Sequence, residues 1–175
     1  IKRINEKYKN INWDILSEEN VKMSSKIFDS KTDWIWVLDP LDGTKDFIQG
    51  TGNYAMHLAL NFKQKPYIGF VLIPDKNQLW ITDGKKTWCE KRDGSKYEPI
   101  LLKNRNLHEM TLVTSKNHGN EILRYLIQEI NFCKVQIMGS IGCKIASIVQ
   151  VESDIYICLS CLLYTSPSPR DVCSS

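Results

Sequence analysis

An unbroken apolar run, Trp34-Ile35-Trp36-Val37-Leu38, passes straight into two carboxylates, Asp39 and Asp42, separated by Pro40 and Leu41. Apolar residues in succession, without alternation, predict a strand buried on both faces. Acids at the end of such a strand are costly unless something positive meets them. Pro40 fixes one backbone torsion and Gly43 permits a tight reversal, so both acids are expected to face one point above the strand end. Left bare, they would repel and one would take up a proton near neutral pH. A divalent cation removes that conflict. Mg2+ prefers hard oxygens, usually one or two carboxylates with waters and substrate phosphate. The Leu41 carbonyl, between the acids, is a further candidate ligand. Gly43 and Thr44 follow, and Lys45-Asp46-Phe47 can open a helical turn whose N–H groups bind phosphate oxygens. The Thr44 hydroxyl can orient or deprotonate a water. Two acids spaced D-x-x-D would alone suit a capped surface turn. Acids, carbonyl, glycine and hydroxyl together form a compact site.

Around this stretch the chain reads as strands and turns. Residues 1–11 carry Ile1, Ile4, Tyr8 and Ile11 at the spacing of an amphipathic helix end. Trp13-Asp14-Ile15-Leu16 reads as a short strand leading to Glu18 and Glu19, either of which can complete a metal shell. Residues 19–33 are polar and read as loop. From 53 to 62, Tyr54, Met56, Leu58, Leu60 and Phe62 share one face, with Ala55, His57, Ala59 and Asn61 opposite. His57, on the small-residue face, reads as structural. Strands over 67–74, "QLWIT" and "TWCEK" follow, joined by "DGKK" and "RDGSK" turns. With "TLVTS" (111–115) they predict a meandering, mainly antiparallel sheet.

The texture then changes. Ile122, Leu123, Leu126, Ile127 and Ile130 form one helical face. "KVQIM", "GCKIASIVQ" and "DIYICL" read as strand, helix and strand, the beginning of an α/β unit. The expected division is 1–115 for an α+β metal-binding domain, 116–160 for the start of an α/β domain, and 161–175 for a tail broken by two Ser-Pro pairs.

The net charge of +3 comes with scattered lysines rather than a dense basic stripe. That argues against a nucleic-acid surface and suits a pocket for a small anion. No apolar run reaches the roughly 20 residues of a membrane helix. The six cysteines have irregular spacing and complete no zinc set. They read as free thiols in a reducing, cytoplasmic or organellar compartment.

"WVLDPLDGTKDFI" resembles the signature of the inositol-monophosphatase-like, lithium-sensitive, Mg2+-dependent phosphatase superfamily. The Lys in "DGTKDF" looks like the 3'(2'),5'-bisphosphate nucleotidase branch. "ILSEE", "GNYAMHLAL", "SKNH" and "GSIGCKIASIVQVESDIYICLS" follow in the family's order over roughly residues 1–160. The resemblance implies a layered α-β-α-β-α sandwich, here truncated at both ends. It implies two or three Mg2+ ions in the complete enzyme, with Glu18, Asp39, the Leu41 carbonyl and Asp42 among their ligands. Thr44 then helps activate the water. Gly43 and Thr44 match the phosphate-binding amides. His118, Ser140 and Lys144 match substrate-binding positions, Ser140 standing four residues before Lys144 where many relatives have a Ser three before. A further Asp in a W-D-x-A-A pattern and an upstream T-x-x-D segment are missing. The implied reaction is removal of the 3'-phosphate of adenosine 3',5'-bisphosphate, with 3'-phosphoadenylyl sulfate as a second substrate, which is a role in sulfur metabolism. An inositol or sugar phosphate monoesterase and an inactive fragment are the alternatives.

Overall fold

The computed structural model describes residues 6–7, 10, 12–17, 32–100, 104–115 and 121–158. Among them the chain builds two sheets. The larger has seven strands in sequential order: β1 (Asp14–Ser17), β2 (Trp34–Asp42), β3 (Ala55–Phe62), β4 (Lys65–Ile73), β5 (Gln78–Thr82), β6 (Thr87–Lys91) and β7 (Lys96–Tyr97). β1 runs parallel to β2, and every later neighbour is antiparallel. A short helix, α1 (Thr44–Ile48), follows β2. The smaller sheet is parallel, in the order β10-β8-β9, from β8 (Thr111–Thr114), β9 (Lys134–Ile137) and β10 (Ile155–Tyr156). Its crossovers are α2 (Glu121–Ile130) and α3 (Ile141–Val149).

The smaller sheet corrects one expectation. Thr111–Thr114 does not continue the antiparallel meander but forms the middle strand of the parallel sheet. The sheets therefore divide between β7 and β8. Four apolar or β-branched residues specify a strand, but its partners are chosen by the crossover helices that follow.

The period-2 pattern of β3 survives and positions everything else. α3 lies on the face that carries Ala55 and His57. Gly142 allows this approach: a Cβ there would meet His57 Nε2 and Val71 Cγ1 at 2.8 Å and Ala55 Cβ at 3.0 Å. The core sits in this seam, with Ala55, Ile73, Trp80 and Cys89 from the large sheet against Val113, Met138, Cys143 and Ala146. Each fully buried large side chain such as Ile73 contributes about 1.5–3 kcal/mol. α3 covers the face only partly. Val37, Ala59, Gly69 and Thr82 line an open, largely apolar cleft of about 500 Å³ with Ile145 and Val149. Trp34 through Leu38 are half-buried, not fully buried as their unbroken apolar run predicts: Val37 lines this cleft, while Trp34, Trp36 and Leu38, paired with Phe62, Leu60 and Leu58, lie on the other face of the sheet.

Glu6 and Lys7 are helical and Asn10 is in a turn; residues 1–5, 8–9 and 11 of the expected N-terminal helix, the 18–31 segment and the 161–175 tail lie outside the described residues. The expected "DIYICL" strand contracts to Ile155–Tyr156. Cys89, Cys133 and Cys143 are free thiols. No helix among the described residues is long and apolar enough to cross a membrane.

Candidate metal and phosphate site

A strand alternates its side chains, so residues three apart should point to opposite faces. Asp39 and Asp42 escape that rule through a bulge. Asp39 pairs with His57 and Asp42 pairs with Ala55, so three steps along β2 match two along β3. The extra residue restores parity and brings both acids to the α3 face. Pro40, which has no N–H to donate to the ladder, occupies the irregularity and is exposed. The Leu41 N–H donates to Asp39 Oδ1 at 3.1 Å, which closes the local turn.

The reversal follows at Gly43, whose φ of +85° is left-handed. A Cβ there would also lie 2.8 Å from the Asn53 carbonyl oxygen, so glycine is required twice over. Thr44 begins α1, is exposed, and its hydroxyl donates to the Leu41 carbonyl at 3.3 Å. Asp46 is buried at 2% exposure and accepts the Thr51 hydroxyl at 2.5 Å. Its carboxylate lies against Gly139, where any Cβ would collide with it.

Asp42 is the centre of the arrangement. Its Oδ2 accepts from the Ser140 hydroxyl at 2.6 Å, from the Ile141 N–H at 2.6 Å and from the Gly142 N–H at 3.4 Å. His57 Nε2 lies 3.2 Å from the same oxygen. Burial pushes the Asp42 carboxyl up, but His57, the Ser140 hydroxyl and the Ile141 N–H together outweigh it. The pKa falls to about 2. Asp42 is therefore a carboxylate at neutral pH without any metal.

Asp42 also completes the first turn of α3. A helix leaves its first four N–H groups without internal partners. Here Ile141 and Gly142 donate to Asp42, and Cys143 donates to the Ser140 side chain at 3.3 Å. Placing a carboxylate at a helix N-terminus is favoured by the helix dipole as well.

Lys144 is 3% exposed. Its Nζ donates to the Ser115 hydroxyl at 2.5 Å and to the Gly139 carbonyl at 3.2 Å, and lies 5.1 Å from the Tyr156 ring centre. Burial pushes its pKa down, and the Asp42 charge partly offsets this. Ser115 opens the "SKNH" segment, so Lys144 reaches the start of the stretch that carries His118. His118 and Glu18 lie outside the described residues. Among the described residues, then, Asp39, Leu41, Asp42, Gly43, Thr44, Ser140 and Lys144 gather around one end of α3. His57 and Asp46 were not legible as members. For His57 the available signal was parity with Ala55 on β3; for Asp46 there was none before Gly139 was known to face it.

The donor set suits Mg2+. Two carboxylates on one face and an intervening carbonyl are hard oxygens, and Asp42 remains ionised. No group of three or more His, Cys, Asp or Glu able to hold a metal occurs among the described residues. Two protein carboxylates with waters and substrate phosphate are nonetheless a usual Mg2+ arrangement.

A family model described as the inositol monophosphatase family matches residues 1–174, a span that runs on through most of the tail set apart above. The chain is 31% identical over 144 residues to the 3'(2'),5'-bisphosphate nucleotidase CysQ of Buchnera aphidicola subsp. Acyrthosiphon pisum, covering 81% of this chain and 51% of that protein. It thus spans about half the length of the curated relatives it matches. The crystal structure of inositol monophosphatase II from Staphylococcus aureus MSSA476 superposes with a TM-score of 0.70 at 26% identity, over 89% of this chain and 56% of that one. Structures of SaIMPase-II, one with 2'-AMP bound and one with inositol monophosphate bound, give 0.71 at 25% identity over 90% of this chain and 58% of theirs. An IMPase/NADP phosphatase complexed with Mg2+ and phosphate shares the fold at 0.71 and 17% identity, over 89% of this chain and 56% of that one.

Proposed function

This chain belongs to the inositol monophosphatase family, and from that premise we propose that it carries the metal-binding part of a Mg2+-dependent phosphomonoesterase that removes the 3'-phosphate of adenosine 3',5'-bisphosphate, giving AMP and phosphate. 3'-Phosphoadenylyl sulfate is the second substrate in this reading. The observation that carries it is the bulge that turns Asp39 and Asp42 to one face, with Gly43 and Thr44 directly after them. The nucleotidase branch is supported by the sequence relative named above and by Lys45 in the "DGTK" context.

In this reading Asp39, Asp42, the Leu41 carbonyl and Glu18 hold Mg2+, two or three ions serving the complete site. When bound, the ion supplies positive charge that activates a water and stabilises phosphoryl oxygens. The chain does the rest. The Thr44 hydroxyl orients the attacking water. The Gly43 and Thr44 N–H groups take up the charge that builds on the phosphoryl oxygens. His118 and Lys144 hold the remainder of the nucleotide by charge-assisted hydrogen bonds. Ser115 and Gly139 take two of the three Lys144 ammonium protons, which leaves the third for the nucleotide. Ser140 holds the Asp42 carboxylate from the α3 side.

An inositol phosphate monoesterase is the second reading, favoured by the inositol monophosphate bound in SaIMPase-II. A version extended to the relatives' length separates the two. Its rates with Mg2+ on adenosine 3',5'-bisphosphate and on inositol 1-phosphate are compared. Faster hydrolysis of the nucleotide supports the first reading, and preference for the inositol ester overturns it.

A further inference from the structure

We infer that Ser140 is a positioning residue for Asp42 and does not touch substrate; this rests on the reading of Asp42 as a Mg2+ ligand. Ser140 is completely buried. Its hydroxyl proton goes to Asp42 Oδ2 at 2.6 Å, and its oxygen accepts the Cys143 N–H at 3.3 Å. Its own N–H donates to the Asn53 carbonyl at 3.3 Å. Both functions of the hydroxyl are thus turned inward. The two loops also approach closely: a Cβ on Gly43 would lie 3.3 Å from the Ser140 Cβ and N.

A helix cap needs an acceptor only. The donated proton is the unexplained part, and it lands on the one carboxylate oxygen that the Ile141 and Gly142 N–H groups also hold. Three donors on Oδ2 fix the plane of the carboxylate, and with it the direction of Oδ1. Hydrogen bonds that orient a ligating carboxylate typically govern metal affinity by about ten- to a hundredfold. Ser140 reaches Asp42 across 98 positions of sequence, from the crossover of the other sheet. The orientation of Asp42 therefore depends on α3 being docked.

Mg2+ is titrated calorimetrically into the wild-type chain, Ser140→Ala, Ser140→Gly, Ser140→Thr and Asp42→Asn, with metal-free melting curves for each. Glycine caps nearly as well as serine, so Ser140→Gly removes the donated proton at little cost to the helix and serves if the alanine form fails to fold. Ser140→Gly should weaken Mg2+ binding by about ten- to a hundredfold, with Ser140→Thr restoring it. In the version extended to the relatives' length, the KM for the phosphate ester at saturating Mg2+ should not change. Wild-type Mg2+ affinity in Ser140→Gly overturns the inference and leaves Ser140 a helix cap. A raised KM with unchanged Mg2+ affinity also overturns it and makes Ser140 a substrate contact. If the wild type takes up no Mg2+, or Asp42→Asn binds it equally well, the metal reading itself has failed and the inference falls with it.

Discussion

α3 is fastened to the large sheet at both ends. At its N-terminus the partner is Asp42, an ionised side chain held by Ser140, Ile141 and Gly142. At its C-terminus the partner is Gln78, a neutral one. There the Gln78 and Gln150 amides donate to each other at 2.8 and 3.3 Å, and Gln150 also donates to the Ala146 carbonyl at 3.0 Å. Both clasps satisfy buried polar groups, which is what packing a helix end on a sheet demands. The difference lies in what remains. The amide pair is neutral, and the Tyr97 hydroxyl also donates to Gln150 Oε1, at 3.4 Å. The carboxylate keeps a full negative charge after its donors are counted, and Asp39 stands on the same face. A clasp built from a charge can serve chemistry as well as docking.

The comparison breaks most severely at Asp42. In the version extended to the relatives' length, Asp42→Asn should reduce phosphatase activity below detection while circular dichroism reports a largely intact fold. Surviving activity would show that the charged clasp is structural, like its neutral counterpart. Gly142→Val comes next. Its side chain would drive into His57 and Val71, and overpacking of this kind costs about 1–3 kcal/mol. A lowered melting temperature together with weakened Mg2+ uptake would tie the site to α3 docking.

Acid should distinguish the two ends. The folded pKa of Asp42, about 2, lies below its ordinary value of 3.8. Its contribution is therefore complete above that value and is lost as pH falls from about 4 towards 2. It amounts to about 2 kcal/mol. Metal-free melting curves of wild type and Asp42→Asn should converge over that window, whereas the Gln78–Gln150 pair has nothing to titrate there. At the neutral end, Gln78→Ala should cost about 1 kcal/mol in melting curves and leave kcat unchanged. The smallest effect is expected at Val151, which follows α3 at a φ of +62°. A β-branched residue is strained in that conformation. Val151→Gly should stabilise by about 0.5 kcal/mol, less than the full relief because glycine also loosens the unfolded chain.

Local chemistry was open to reading from the residues themselves. Alternation along 53–62 identified the two faces of β3, and α3 sits on the predicted small-residue face. Asp39-Pro40-Leu41-Asp42-Gly43-Thr44 announced a turn with clustered hard oxygens, because proline, glycine and paired acids each restrict what their own backbone can do. The apolar spacing of 120–130 marked α2 to within a residue. What failed was whatever depends on a distant partner. Trp34 to Leu38 could not reveal how much of either face of the sheet would be left uncovered. Thr111–Thr114 could not reveal which sheet it would join, since four strand-forming residues carry no record of their neighbours. His57 read as filler until register set it opposite Asp39, beside Asp42.

Periodicity and backbone restriction act over a few residues, so sequence alone determined the strands, the reversal at Gly43 and the oxygen-rich loop. Which oxygen of Asp42 is held, and by whom, was decided when Ser140 and the first turn of α3 arrived from the other sheet. That meeting spans some 98 positions, and its cause is the close fit of Gly142 on β3 and β4, a matter of three-dimensional packing that no local pattern encodes.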